Sequence, residues 1–201
     1  MSDQSPIETI RVERDSAGVT TLTLDDPTQG VNTMRARFVD DLGRVVADLR
    51  TDRDELSGVI VTSAKDTFFA GGDLKELIQA GPDDAGAVTA STRRAQGLLR
   101  DLETLGVPVV TVLNGTALGG GLEIALASHR RIAVDNPRAV FGLPEVTLGL
   151  LPGAGGVVRT VRMLGIANAL INVLVQGQRH KLGKAVELGL IDEVMPDRAH
   201  W

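Results

Sequence analysis

Two carboxylates and three clusters of glycine are the residues of this chain best suited to chemistry. Glu123 closes the stretch Asn114-Gly-Thr-Ala-Leu-Gly-Gly-Gly-Leu-Glu123, and Glu145 lies within Gly142-Leu-Pro-Glu-Val146. Neither has obviously polar neighbours: Ile-Ala-Leu-Ala127 follows Glu123, and Pro144 and Val146 flank Glu145. A carboxyl group in apolar surroundings ionises less readily and suits proton transfer. Glycine accounts for 23 of 201 residues, crowded at 71–72, 119–121 and 153–156. That clustering points to binding by backbone, which glycine lets approach a ligand closely. Phe68-Phe-Ala-Gly-Gly-Asp-Leu74 and Gly119-Gly-Gly-Leu-Glu123 each follow a run that reads as a buried strand and each lead into a helix. A helix N-terminus offers unpaired N–H groups and a partial positive charge. Two such turns can aim two N–H groups at one oxygen, forming an oxyanion hole. Two carboxylates beside it can act as general base and general acid. The chemistry favoured is enolate formation on an acyl group, such as addition of water across a conjugated double bond, and it needs no metal. Taken singly, each piece has an ordinary structural reading: a tight turn, a charge offsetting a helix dipole, an exposed loop acid.

Other chemistries fit poorly. Gly183-Lys184 is followed by Ala185, and Gln178 stands where a phosphate-binding loop needs its first glycine. The dinucleotide pattern G-x-G-x-x-G fails at Ile124 and again at Val158, and there is no Gly-x-Ser-x-Gly elbow. His129, His180 and His200 are scattered without metal-ligand spacing and read as surface or structural residues. The net charge of −5, with signs interspersed, and 2% aromatic residues argue against a nucleic-acid partner. With no cysteine there is neither a disulfide nor a thiolate. The polar N-terminus is unlike a secretory signal and no apolar run suits a membrane span, so the expected location is the cytoplasm.

These residues must be positioned by a scaffold, and its elements are legible. Ile7–Arg14 and Val19–Leu24 read as a hairpin around the turn at 15–18. Phe38, Leu42, Val45, Val46 and Leu49 form a helical stripe within 35–49. Gly58–Val61, Val107–Leu113, Arg131–Asp135 and Leu190–Met195 read as strands, and Val140–Glu145 as an extended segment ending at Pro144. A helix carries Ala95, Leu98, Leu99, Leu102 and Leu105 on one face. Others are expected at 74–78 (capped by Asp73), 124–127, 157–164, 167–175 and 181–188. Ala80–Ala87, small and acidic, reads as a mobile segment. Strands alternating with helices predict an α/β architecture with mostly parallel strands. The whole of 1–201 reads as a single domain, and Pro196-Asp197 resembles a helix start so close to Trp201 that a C-terminal truncation is expected, a short frayed tail being the alternative.

From Val19 to Met195 the chain resembles the enoyl-CoA hydratase/isomerase (crotonase) superfamily. It looks most like the hydratase portion that opens the multifunctional fatty-acid oxidation α subunit. The resemblance rests on Thr67-Phe-Phe-Ala-Gly-Gly-Asp-Leu-Lys75, on Asn114–Glu123 and on Gly142-Leu-Pro-Glu-Val-Thr-Leu-Gly-Leu-Leu-Pro-Gly-Ala-Gly-Gly156. It implies a ClpP/crotonase-type spiral of ββα units, with two nearly perpendicular sheets surrounded by helices. It implies an acyl-CoA thioester substrate and no cofactor, since coenzyme A belongs to the substrate. Carried over by position, the oxyanion hole falls on the amides of Gly72 and Gly120, and the catalytic acids on Glu123 and Glu145. Ala70, Asp73, Leu74 and Lys75 would contact the CoA moiety, and Met34-Arg35 lies where the family often approaches it. The implied reaction is hydration of 2-enoyl-CoA in fatty-acid β-oxidation. The alternatives are a 3-enoyl-CoA isomerase of the same fold and a non-catalytic acyl-CoA-binding fragment of a larger protein. The implied partners are further copies in a trimer or hexamer, or a β-oxidation thiolase if the chain belongs to a multifunctional protein.

Overall fold

The structure, a computed structural model, describes residues 6–73 and 78–197. The expected helix at 74–78, like Leu74 and Lys75 themselves, lies largely outside the described residues. Two sheets organise the rest. The first has six strands in the order β1-β2-β3-β4-β6-β9: Ile10–Arg14, Val19–Leu24, Gly58–Ser63, Val109–Leu113, Arg130–Val134 and Glu193–Met195. Only β1 and β2, the predicted hairpin, pair antiparallel; every later neighbour is parallel. The second sheet has three short strands in the order β5-β7-β8: Ala117–Leu118, Val140–Gly142 and His180–Lys181. No helix among the described residues is long and apolar enough to cross a membrane.

Helix α1, Ala36–Thr51, buries the predicted stripe together with Val39. Helix α2, Ala85–Glu103, buries Ala95, Leu99 and Leu102. It begins ten residues before that face, so part of the segment read as mobile is helical. The reason was present in the sequence. Pro82 opens a 3-10 turn over Pro82–Asp84, and the Asp84 carboxylate accepts from the Gly81 amide at 2.8 Å. Proline at a first helical position followed by acids is a start signal. Helix α3 runs from Gly120 to Leu126, α4 from Gly156 to Leu164, α5 from Ile166 to Ala169 and α6 from Leu182 to Glu187. The single helix expected at 167–175 is instead α5 followed by a π turn over Leu170–Leu174. The two-residue strands β5 and β8 are too short to leave an alternating pattern.

The core lies between the large sheet and its helices and continues under the small sheet. Phe68, Phe69, Phe141, Leu122 and Leu143 are wholly buried there. Phe38 of α1 meets Phe69 edge to face with ring centroids 5.0 Å apart, which ties the loop after β3 to the helix layer. Asp41, also wholly buried, pins the N-terminal hairpin to α1. It accepts from the Thr9 amide at 2.9 Å, the Thr9 hydroxyl at 2.8 Å and the Glu8 amide at 3.1 Å, and it pairs with Arg44. Burial pushes its carboxyl up, but these hydrogen bonds outweigh burial and hold it below the usual range. Replacing Asp41 by Ala strands the buried Thr9 donors, so Asp41→Ala should cost about 3 kcal/mol in chemical denaturation. Because the Asp41 pKa is lowered, its stabilisation is present above the ordinary carboxylate pKa and disappears as pH falls through the folded value.

Candidate active site

The loop after β3 and the turn after β4 are laid side by side by backbone pairing. The Phe69 amide donates to Thr116 O at 3.2 Å, and the Leu118 amide donates to Phe69 O at 3.1 Å. Asn114 Nδ2 donates to Lys65 O at 2.6 Å, and the Ala70 and Met34 amides donate to Asn32 O and Gly71 O at 2.9 and 2.8 Å. Phe69 and Ala117 therefore form a parallel bridge, as do Met34 and Gly72. This pairing brings Gly71 so near the second turn that a Cβ there would stand 3.1 Å from Leu118 O and 3.7 Å from Gly119 Cα. The amides of Gly72 and Gly120 sit one residue further along and donate to no protein acceptor among the described residues.

Two of the three central glycines are required by geometry. Gly119 has φ +52°, in the left-handed region, and a Cβ there would stand 2.9 Å from Glu145 Oε1. Gly121 packs so closely on Phe69 that a Cβ would meet its carbonyl oxygen at 2.5 Å. Helix α3 starts at Gly120, four residues earlier than its apolar run suggests, so Glu123 lies in its first turn. Its whole length is buried.

Glu123 is 2% exposed. Its Oε1 accepts from the amides of Ala154 and Gly156 at 2.7 and 2.8 Å. The third glycine cluster, Gly153–Gly156, is thus a cradle for this carboxylate. The clustering was visible in the sequence, but its target was not. Burial raises the pKa of Glu123, opposed by these amides and by Arg159. Glu145 enters from the 3-10 turn Pro144–Leu148, after β7. Its Oε2 is buried without a hydrogen-bond partner among the described residues. Burial, augmented by the negative charge of Glu123, raises the Glu145 carboxyl to about 7. The two acids are therefore brought together, beside the Gly119–Gly120 turn, in unlike environments. One is anchored by two amides, whereas the other leaves Oε2 without a partner among the described residues. Pairs of carboxyls pushed apart in this way can divide the roles of base and acid.

The remaining predicted positions are placed as follows. Ala70 is exposed at the loop surface, Gly72 is exposed, and Asp73 is half-buried beside it. Leu74 and Lys75 lie outside the described residues. Met34 packs on Gly120, where a Cβ would meet its Cε at 3.1 Å, while Arg35 pairs with Asp26 at 3.2 Å. His129 Nδ1 accepts from the Val109 amide at 2.9 Å and His180 Nε2 bonds Asn172 O at 2.7 Å, so both serve structure.

A pair of buried or half-buried acids beside glycine-rich turns at strand ends, in an α/β scaffold, is the arrangement the structure presents. Residues 14–200 match the enoyl-CoA hydratase/isomerase family, and the chain belongs to that family, within the crotonase superfamily. Solved structures agree. The chain is similar to an enoyl-CoA hydratase from Bacillus anthracis, at 31% identity and TM-score 0.84, over 94% of this chain and 70% of that one. Pseudomonas aeruginosa AtuE is 30% identical at TM-score 0.83, over 96% and 72%. An enoyl-CoA hydratase from Thermoplasma volcanium GSS1 is 27% identical at TM-score 0.82, over 100% and 76%. The two sheets surrounded by helices are the crotonase-type architecture.

The raised Glu145 pKa has a consequence for stability. A carboxyl raised on folding contributes stability below its unfolded pKa, and this is lost as pH rises through the folded value, here about 7. Glu145→Gln cannot ionise. Its melting temperature relative to the parent should therefore increase between pH 5 and pH 8 in thermal scans, whereas an offset independent of pH would contradict the assignment.

Proposed function

We propose that the protein is an enoyl-CoA hydratase, adding water to the double bond of a trans-2-enoyl-CoA of fatty-acid β-oxidation to give the 3-hydroxyacyl-CoA. The observation that carries this reading is the convergence of Glu123 and Glu145, each with a raised pKa, beside the glycine turn that begins α3. The family supports the hydratase or isomerase reaction type, and the two-acid arrangement favours hydration.

Glu123, kept more ionisable by the Ala154 and Gly156 amides, is the general base. It takes a proton from water as the oxygen attacks the β-carbon. Electron density moves to the thioester oxygen, where the amides of Gly72 and Gly120 are suited to receive it. Glu145, readily protonated near neutral pH, then delivers its proton to the α-carbon, on the face from which the water came. Ala70, Asp73, Leu74 and Lys75 are the residues proposed to contact the CoA moiety.

The test is loss of absorbance of a conjugated enoyl-CoA. Glu123→Gln and Glu145→Gln should each lower kcat by about 10²–10⁴-fold. Gly72→Pro, which deletes one amide donor, should lower it by about 10²–10³-fold. With Glu145 as the acid, kcat/KM should fall above a pH of about 7. Unchanged rates in both glutamine variants would sink the assignment. Turnover of 3-enoyl-CoA without hydration of 2-enoyl-CoA would make the protein an isomerase instead.

A further inference from the structure

We infer that Arg159 is a positioning residue for this site: its guanidinium locks the Gly153–Gly156 turn onto α2, so that the Ala154 and Gly156 amides are held against Glu123. The inference rests on the reading of Glu123 as the base. Arg159 lies in the first turn of α4, and its side chain is 11% exposed. Nη1 donates to Ala154 O at 3.0 Å, and Nη2 donates to Glu103 Oε2 at 3.1 Å. The same peptide stretch is thus gripped on both sides: the Ala154 carbonyl by Arg159, the Ala154 amide by Glu123. Nη1 also approaches Gly155, whose φ is +109°, so closely that a Cβ there would stand 2.2 Å from it. Glu103, at the last turn of α2, is held in turn by Arg100 at 2.9 Å. A second tie from α2 is Gln96 Nε2, which donates to Gly153 O at 2.6 Å, but Gln96 is exposed.

Among the described residues, the charged groups linked to the turn are Glu123 and its neighbour Glu145, Arg159, and Glu103 and Arg100 beyond Arg159. Arg159 is the cation that favours the ionised form of Glu123. A planar fork can reach a carbonyl and a carboxylate at once, which a lysine ammonium cannot match in geometry. Arg159 touches no reacting atom. It acts through the turn and through its charge.

The experiment measures kcat, KM and the pH profile of enoyl-CoA hydration for Arg159→Met, Arg159→Lys and Glu103→Gln, with the melting temperature of each. Arg159→Met should lower kcat by about tenfold to a hundredfold, as expected when a reacting group is misplaced. KM should barely change, and the acid limb of kcat should move to higher pH, because the cation favouring the Glu123 carboxylate is gone. Arg159→Lys should restore the acid limb but only part of kcat. Glu103→Gln should lower kcat less, and should add little to Arg159→Met in the double variant. A folded Arg159→Met with the parent kcat and acid limb would overturn the inference. If that variant does not fold, parent values in both Arg159→Lys and Glu103→Gln would overturn it. Glu123→Gln in the same assay separates the two claims. If it is inactive while the Arg159 variants behave as the parent, only the positioning role fails. If it remains active, the role of Glu123 as base fails.

Discussion

A carboxylate buried among apolar side chains has to be held by hydrogen bonds, and Glu123 is such a group. Burial of this kind disfavours the ionised form strongly unless donors replace the lost water. Here the donors are two backbone amides of one turn, at 2.7 and 2.8 Å from Oε1. That requirement organises much of the surroundings. The turn must be glycine-rich: a Cβ at Gly156 would stand 3.0 Å from Glu123 Cγ and 2.9 Å from Leu143 Cδ1. It must also be fixed in place, which falls to α2 and α4. The cost of keeping two acids together is local stability, accepted where groups are set up for chemistry rather than for folding.

The scaffold solves a second problem, that of bringing two distant glycine turns together. The large parallel sheet ends β3 and β4 side by side. Beyond its edge the chains do not diverge. They continue pairing through the Phe69–Ala117 bridge, and Ala117–Leu118 then joins the small sheet through β7. The strand that carries Ala117 towards Gly120 is thus paired with the one that leads to Glu145. One short sheet therefore sets the spacing of the proposed oxyanion-binding turn and the second acid. The Phe38–Phe69 contact and the close packing of Gly121 on Phe69 fix its depth in the core.

The elements with a strong local signature were legible in the sequence. The hairpin, the α1 stripe and the buried parallel strands follow from periodicity and β-branched runs, and they are present at nearly the expected positions. What was illegible has physical causes. Strands β5 and β8 are two residues long and exist only through their partners. The early start of α3 is set by packing, since glycine has low helix propensity and would not announce a helix. The π turn at 170–174 leaves no composition cue that distinguishes it from an α-helix. The N-terminal extension of α2 is signalled by Pro82 and Asp84, but the small, acidic composition of Ala80–Ala87 masks that signal and reads as a mobile segment. In the site, the acids and the glycine clusters stood out by residue type. The cradle function of Gly153–Gly156 and the place of Arg159 depend on contacts between segments about thirty to sixty residues apart, which no local pattern encodes.

In the proposed reaction Glu123 and Glu145 act on opposite ends of one double bond from the same side, with the thioester oxygen as the electron sink. Hydration in D2O, followed by NMR of the product, tests this most directly. A single deuterium is expected at the α-carbon, on the same face as the new hydroxyl, with the label incorporated at a rate that collapses in Glu145→Gln. Deuterium on the opposite face, or undiminished incorporation in that variant, would contradict it.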